Sequence, residues 1–430
     1  MKKITDQKWD GILKSIDRRR FLISSAAAGV LTLTPRFVSA AAGETYNLGV
    51  LLPSTGAGAN WADSAIKAIN IAVADINGRG GFLGKHPIKI HYRDTHTKPD
   101  VATREGRSII LDEKVRAIVG TYSSACALAL QEITHEAKVL QLASISNSAK
   151  IVGANYSSYT YEFGPNTKMM SNAIVKAVAK LAHRNKWKRY ITIGQDYEWG
   201  RNIQRGFVKE LAKLGPDVKL QRELWFKLGE SDLGSYISGI MSLKPDFVFP
   251  AVAGKDSRTL MEQGQAMGLL KVTSLVGGQI TTVELQQQKD TLPRGLVGMS
   301  RCAFFAHLDE PLMQKYIKMY RDAQGQYPTD MSCMNFDVVY GLEQGIQKAG
   351  TIDTEAVKNA LKGATLKTGR GTRTFRKCDN QLNVPTYIGE VFDDPDYPFP
   401  IYNRDKMIVV EAEDVWGTCE EAEAGRKKRS

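Results

Sequence analysis

The chain has 430 residues, 43% hydrophobic and 24% charged, an ordinary soluble composition at a length that outgrows one core and favours two lobes. The net charge is +12, but residues 1–40 hold eight basic and three acidic groups, so +5 of it belongs to the front of the chain. The rest is spread out, apart from a basic tail at 426–429, with no arginine stripe interleaved with aromatics, which argues against nucleic acid as a partner. No apolar run beyond the front is long enough to span a bilayer.

Arg18-Arg19-Arg20-Phe21-Leu22 fits a twin-arginine export signal. The segment 21–33 is mildly apolar, rich in Ala, Ser and Gly, and too short for a stable span. Small residues at 38–42 offer peptidase sites, so 1–42 reads as a signal peptide. No Cys stands just after the apolar segment to take a lipid. Export makes the cysteines readable as disulfide candidates. There are five, Cys126, Cys302, Cys333, Cys378 and Cys419, so at least one stays free in a monomer. Cys126 lies in an apolar helical pattern and reads as a small buried hydrophobe. Cys378–Cys419 is the expected bridge, tying the two C-terminal segments. Cys302–Cys333 is a second pairing, although spacing alone does not fix connectivity. None of the five makes a zinc pattern.

The first strand is expected at 48–52, an apolar run closed by Pro53, as for a strand buried on both faces. The loop 54–61 is small and polar, so backbone can approach a ligand closely. A helix over 62–76, a stop at Gly78, Gly80 and Gly81, and a β-rich 88–92 complete a β-α-β unit, which forces a parallel sheet. Ligands of such sheets bind beyond the carboxyl ends of the strands, which puts 54–61 and Asp94 at the candidate site. Gly56-x-Gly58-x-x-Trp61 lacks the third glycine of a dinucleotide fingerprint, and no Gly-Lys-Ser/Thr follows, so no nucleotide cofactor is expected.

Helix 99–111, strand 115–119, helix 125–137 and strand 139–144 continue the alternation. The loops 120–124 and 145–148 carry Ser123, Ser124, Ser146 and Ser148, and a helix start just after Ser124 favours an anion such as a carboxylate. The pattern restarts with helix 166–182, strand 189–193 and loop 195–200, where Tyr197 and Trp199 offer flat faces. Helix 201–214, strand 219–226 and loop 229–232 follow, and Glu230 or Asp232 offers an acid for an ammonium. Helix 233–243, strand 246–251, helix 255–267 and strand 273–276 come next. Helices 312–324, 335–349 and 354–361 lead to a β-rich end at 372–375, 386–392 and 407–412.

These loops, in this order, resemble those of the type I periplasmic solute-binding proteins of the branched-chain amino-acid and amide class, Leu/Ile/Val-binding-protein-like receptors of ABC importers. The resemblance covers about 45–395. It rests on Gly56…Trp61, Asp75-Ile76-Asn77-Gly78-Arg79-Gly80-Gly81, Asp94 after a strand, Gly120…Ser124, the loop 144–148, Asp196-x-x-Trp199-Gly200 in place of Asp-x-x-Tyr-Gly, and Gly229-Glu230-Ser231-Asp232. It implies an α/β fold of two doubly wound lobes joined by a three-segment hinge near 163–167, 250–254 and 368–373. Lobe 1 would be 45–165 and 253–369, lobe 2 would be 166–252 and 370–420, and 421–430 a basic tail. It further implies that Ser124 and nearby N–H groups hold a carboxylate, and that Ser148, the Ser146 backbone and Glu230 or Asp232 hold an ammonium. Trp61, Tyr122, Tyr197 and Trp199 would line the apolar part. The implied partners are a small amino-acid-like or aromatic carboxylate and an inner-membrane permease, with no cofactor and no metal, in the periplasm. Trp199 in place of Tyr and the added Tyr122 tilt the solute toward a larger or aromatic one.

Two other classes compete. An enzyme would draw on His86, His91, His96, His135, His183 or His307. His91 and His96 flank Asp94, but five apart in a strand they point to opposite faces. No Gly-x-Ser-x-Gly elbow is present, and Ser124 has no assignable base. A sensor domain feeding a membrane signalling receptor would share the fold, and only neighbouring genes separate it from an importer.

Overall fold

The computed structural model describes residues 43–426; the expected signal peptide and the last four residues of the basic tail lie outside them. Strand β1 (Tyr46–Leu51), helix α1 (Ala59–Gly78) and strand β2 (Ile88–Arg93) form the opening β-α-β unit. Helix α2 (Pro99–Glu113), β3 (Ala117–Gly120), α3 (Ser124–Glu136), β4 (Leu140–Ala143) and β5 (Thr160–Glu162) complete a five-stranded sheet. Its order is β2-β1-β3-β4-β5 and every pair is parallel. β3 and β4 are buried along their whole length, as strands covered on both faces must be, and their apolar residues run without alternation. Leu51, Ile109, Val115, Ile118, Leu130 and Val139 make one core beneath α2 and α3.

Helix α4 (Thr167–Asn185) opens the second half, with the Asn166 side chain accepting from the amides of Lys168 and Met169, which satisfies two of the unpaired N–H groups at its start. The alternation then runs β6 (Arg189–Gln195), α5 (Glu198–Leu214), β7 (Lys219–Phe226), α6 (Gly234–Leu243), β8 (Phe247–Ala251), α7 (Lys255–Ala266), β9 (Ser274–Gln279), α8 (Thr282–Gln287) and β10 (Val297–Ser300). Ile191, Ile193, Phe226, Ile237, Ile240 and Val248 belong to a second core. The chain next returns to the first half. Helix α9 (Pro311–Gln324), α10 (Asp330–Ala349), α11 (Thr354–Leu361) and the hairpin β11 (Thr365–Thr368) and β12 (Gly371–Thr374) pack there, with α10 lying along α1. α10 is buried on every face from 330 to 343, which is why its sequence lacks a polar stripe. It begins at 330, five residues earlier than its periodicity suggests, because Thr329 and Ser332 close a capping box. Strands β13 (Thr386–Phe392), β14 (Ile401–Tyr402) and β15 (Ile408–Val410) go back to the second sheet, and α12 (Cys419–Ala424) follows.

The second sheet runs β14-β13-β10-β9-β8-β6-β7, parallel from β7 to β10 and antiparallel at β13, with β15 also on β13. This order corrects the expected lobe boundaries. Residues 253–300 supply β9 and β10, so they belong to lobe 2, and the second crossover lies just after Ser300 instead of at 250–254. The hairpin β11–β12 stays with lobe 1, which moves the third crossover from 368–373 to 375–385. Between β5 and α4 the chain leaves the first sheet for the second half. No helix among the described residues is long and apolar enough to cross a membrane.

Cys378 and Cys419 are bonded to each other. Cys302 and Cys333 are not, contrary to the second pairing; both are buried free thiols, as is Cys126. Burial pushes the Cys333 thiol well up, which keeps it protonated and unreactive.

Candidate functional site

The cleft between the lobes is lined from the carboxyl ends of parallel strands, where an open α/β sheet leaves room. Lobe 1 contributes Trp61 from the start of α1, Tyr122 after β3, and Ile145 and Asn147 after β4. Facing them are Tyr197 and Trp199 after β6, Ala253 after β8, Gln279 at the end of β9 and Arg301 just after β10. The cavity they enclose measures about 10 Å³, room for one water. A larger solute enters only if the lobes separate.

Tyr122 stands between the lobes because two glycines let it. A Cβ on Gly58 would collide with its ring, and one on Gly254 would come within 2.5 Å of its hydroxyl; Gly254 also has φ of +64°. The Tyr122 ring meets Trp61 edge-on at 5.8 Å, and Tyr197 and Trp199 lie 6.2 Å apart on the other side. The Tyr122 hydroxyl is buried without a partner. Burial, then Asp256 and Glu284, push its ionisation far above the usual phenol range, so it stays neutral.

Bonds cross the cleft. Ser148 Oγ donates to Glu198 Oε1 at 2.8 Å, and Lys150 Nζ pairs with Glu198 Oε2 at 2.9 Å. Trp61 Nε1 donates to Glu284 Oε1 at 2.8 Å, and the Lys255 amide reaches Ala57 O at 3.4 Å. Glu284 also closes the capping box of α8 with Thr281, and burial raises its carboxyl to about 7.

The serines hold loops. Ser124 Oγ accepts from the amides of Asn147 at 3.2 Å and Ser148 at 3.1 Å. Ser123 precedes α3 and its carbonyl accepts from Thr121 Oγ1 at 2.7 Å. The Ser146 amide donates to Thr121 O at 2.9 Å, while its buried hydroxyl has no partner. Glu230 and Asp232 do not reach the cavity. Glu230 accepts from the Ser231 amide at 3.0 Å, and Asp232 from the Gly234 amide at 2.9 Å, so both stiffen their own loop. Asp94 likewise clamps the first loop, taking Ser54, Thr55 and the His96 amide. His91 is satisfied inside lobe 1 by Asn47 and Glu113. Among the described residues no group of His, Cys, Asp and Glu could hold a metal ion.

Ile145, Asn147, Ala253, Gln279 and Arg301 also line the cavity and are not among the residues expected there. The position just past a strand end was the available signal. Arg301 escaped it because Val297-Gly298-Met299-Ser300 is short and weakly β-forming.

A family model for periplasmic binding proteins matches residues 45–395. The chain therefore belongs to the periplasmic binding protein family, a family of transport receptors and not of enzymes. Among curated relatives, a Leu/Ile/Val-binding protein homologue of Brucella suis is 23% identical over 345 residues, 77% of this chain and 84% of that one. A periplasmic binding protein from Burkholderia mallei superposes with a TM-score of 0.78 at 20% identity, covering 88% of this chain and 98% of that one. A Rhodopseudomonas palustris solute-binding protein, solved in complex with 4-hydroxybenzoate, gives 0.74 at 20% identity, covering 86% and 98%. These structures share the two-lobed fold.

Proposed function

We infer that the chain is the periplasmic receptor of an ABC importer, which closes its lobes over a small carboxylate-bearing solute and hands it unaltered to an inner-membrane permease. The observation that carries this is the cleft itself. Four aromatic rings, two from each lobe, face one cavity, and hydrogen bonds join its walls across the gap. Such a cleft opens and shuts by hinge motion at the three crossovers. The family match supports the reading, as does 4-hydroxybenzoate in the Rhodopseudomonas palustris protein. We assign export to the arginine run at 18–20, and to Ser124 and Ser148 the shaping of the loop that faces the solute.

The test is thermal unfolding of the purified protein against amino acids, amides and aromatic acids, with small-angle scattering on each hit. A true solute at 100 times its Kd adds about 2.7 kcal/mol to stability, contracts the protein and is recovered unchanged. A protein that neither stabilises nor contracts with any of them is not this receptor.

A further inference from the structure

Arg301 is the only charged side chain among the residues that line the cavity, and it is fully buried. Its Nη1 donates to Ile145 O at 2.7 Å and Ser144 O at 3.5 Å, and its Nη2 contacts Met331 Sδ at 3.4 Å. All three acceptors are neutral. Nε is buried without a partner. Asp330 and Glu162 are near enough to favour the charge, but neither pairs with the guanidinium. The Asp330 carboxylate is taken by the amides of Thr282, Arg301 and Cys302 and by the Ser300 hydroxyl. Glu162 accepts from the Gly164 amide. An arginine stays charged in a protein, and a buried charge with an unmet donor is costly unless an anion completes it.

The same wall is wrong for an ammonium. No acid lines it. Asp256 Oδ2 is held by Gln195 and the Gly229 amide, and Glu284 by Trp61 and Thr281. Asp256 Oδ1 has no partner, but Asp256 is not among the residues that line the cavity. The polar wall at the end of β9 is the neutral Gln279, whose Oε1 is buried and unpartnered. An amino acid would set its ammonium beside Arg301, with no acid among the lining residues to offset it. The four flat rings suit a planar solute, and Gln279 Oε1 and Tyr122 Oη remain for a ring substituent such as a hydroxyl.

We propose that Arg301 binds the solute carboxylate and that the solute is a small aromatic acid without an ammonium group. This rests on the receptor reading above. Calorimetry with benzoate, 4-hydroxybenzoate, benzamide, L-phenylalanine and L-leucine tests it. Either benzoate binds, and benzamide and phenylalanine bind about 100-fold more weakly or worse. Arg301→Gln then brings benzoate down to the level of benzamide, and Arg301→Lys keeps part of the preference. Gln279→Glu, which leaves the guanidinium in place, weakens benzoate and narrows its margin over phenylalanine. Equal loss for benzoate and benzamide in Arg301→Gln makes the arginine structural and overturns the assignment. Tight phenylalanine or leucine binding with contraction keeps the receptor and sinks the aromatic acid, whereas no contraction with any solute sinks both.

Discussion

Glu162 ends β5 with its carboxyl wholly inside the protein, one oxygen on the Gly164 amide and the other unpartnered. Burial raises it to about 8, against the Gly164 bond and Arg301, which pull it down. A folded-state value above the unfolded one means that the folded protein holds the proton more tightly. Stability is therefore full below about 4.5 and falls as pH rises toward 8. Glu284 acts in the same direction up to about 7, so only the difference between wild type and a Glu162 variant isolates Glu162. Urea denaturation from pH 5 to 8 should show wild type losing about 3–4 kcal/mol relative to Glu162→Gln. Parallel curves would mean that this carboxyl is not buried as described.

Between elements, the contact that matters most is the start of α5 against the loop after β4. Glu198 takes both Ser148 and Lys150 there. Each lobe has its own core, so this bond favours closure over opening and contributes little to folding. Glu198→Ala should leave the unfolding free energy within about 1 kcal/mol of wild type. It should weaken solute affinity about fivefold, because the closed state loses about 1 kcal/mol of support. The radius of gyration of the free protein should rise. An unchanged radius and affinity would show that the latch carries no closure energy. The family resemblance implies Ser148 as a solute ligand. A serine at a strand end looks the same in sequence whatever its hydroxyl meets, and only the folded cleft shows that this one reaches Glu198 in the opposite lobe.

At the scale of the molecule, the third crossover is tied to the C-terminal segment by Cys378–Cys419, across a separation of 41 residues. Closing a loop of that length in the unfolded chain is worth about 4 kcal/mol by chain entropy. The double variant Cys378→Ser with Cys419→Ser should lose about 2–4 kcal/mol of unfolding free energy and keep solute affinity at 25 °C. A loss of affinity instead would mean that the bridge sets the hinge.

The alternation of apolar runs with helical periodicity determined by itself that the chain is a pair of parallel α/β units, with its loops gathered at the strand ends that line the cleft. That Trp61, Tyr122, Tyr197 and Trp199 stand in loops after strands could be read on that basis, since side-chain period and strand ends are local properties of the chain, while their common role came from the family resemblance. Which strands share a sheet was decided only in the folded protein. Nothing local in 274–300 says that β9 and β10 extend the second sheet, because sheet order depends on pairings between distant segments. The same distance hid Arg301, which lines the cavity with rings more than a hundred residues away and keeps its Nε without a partner.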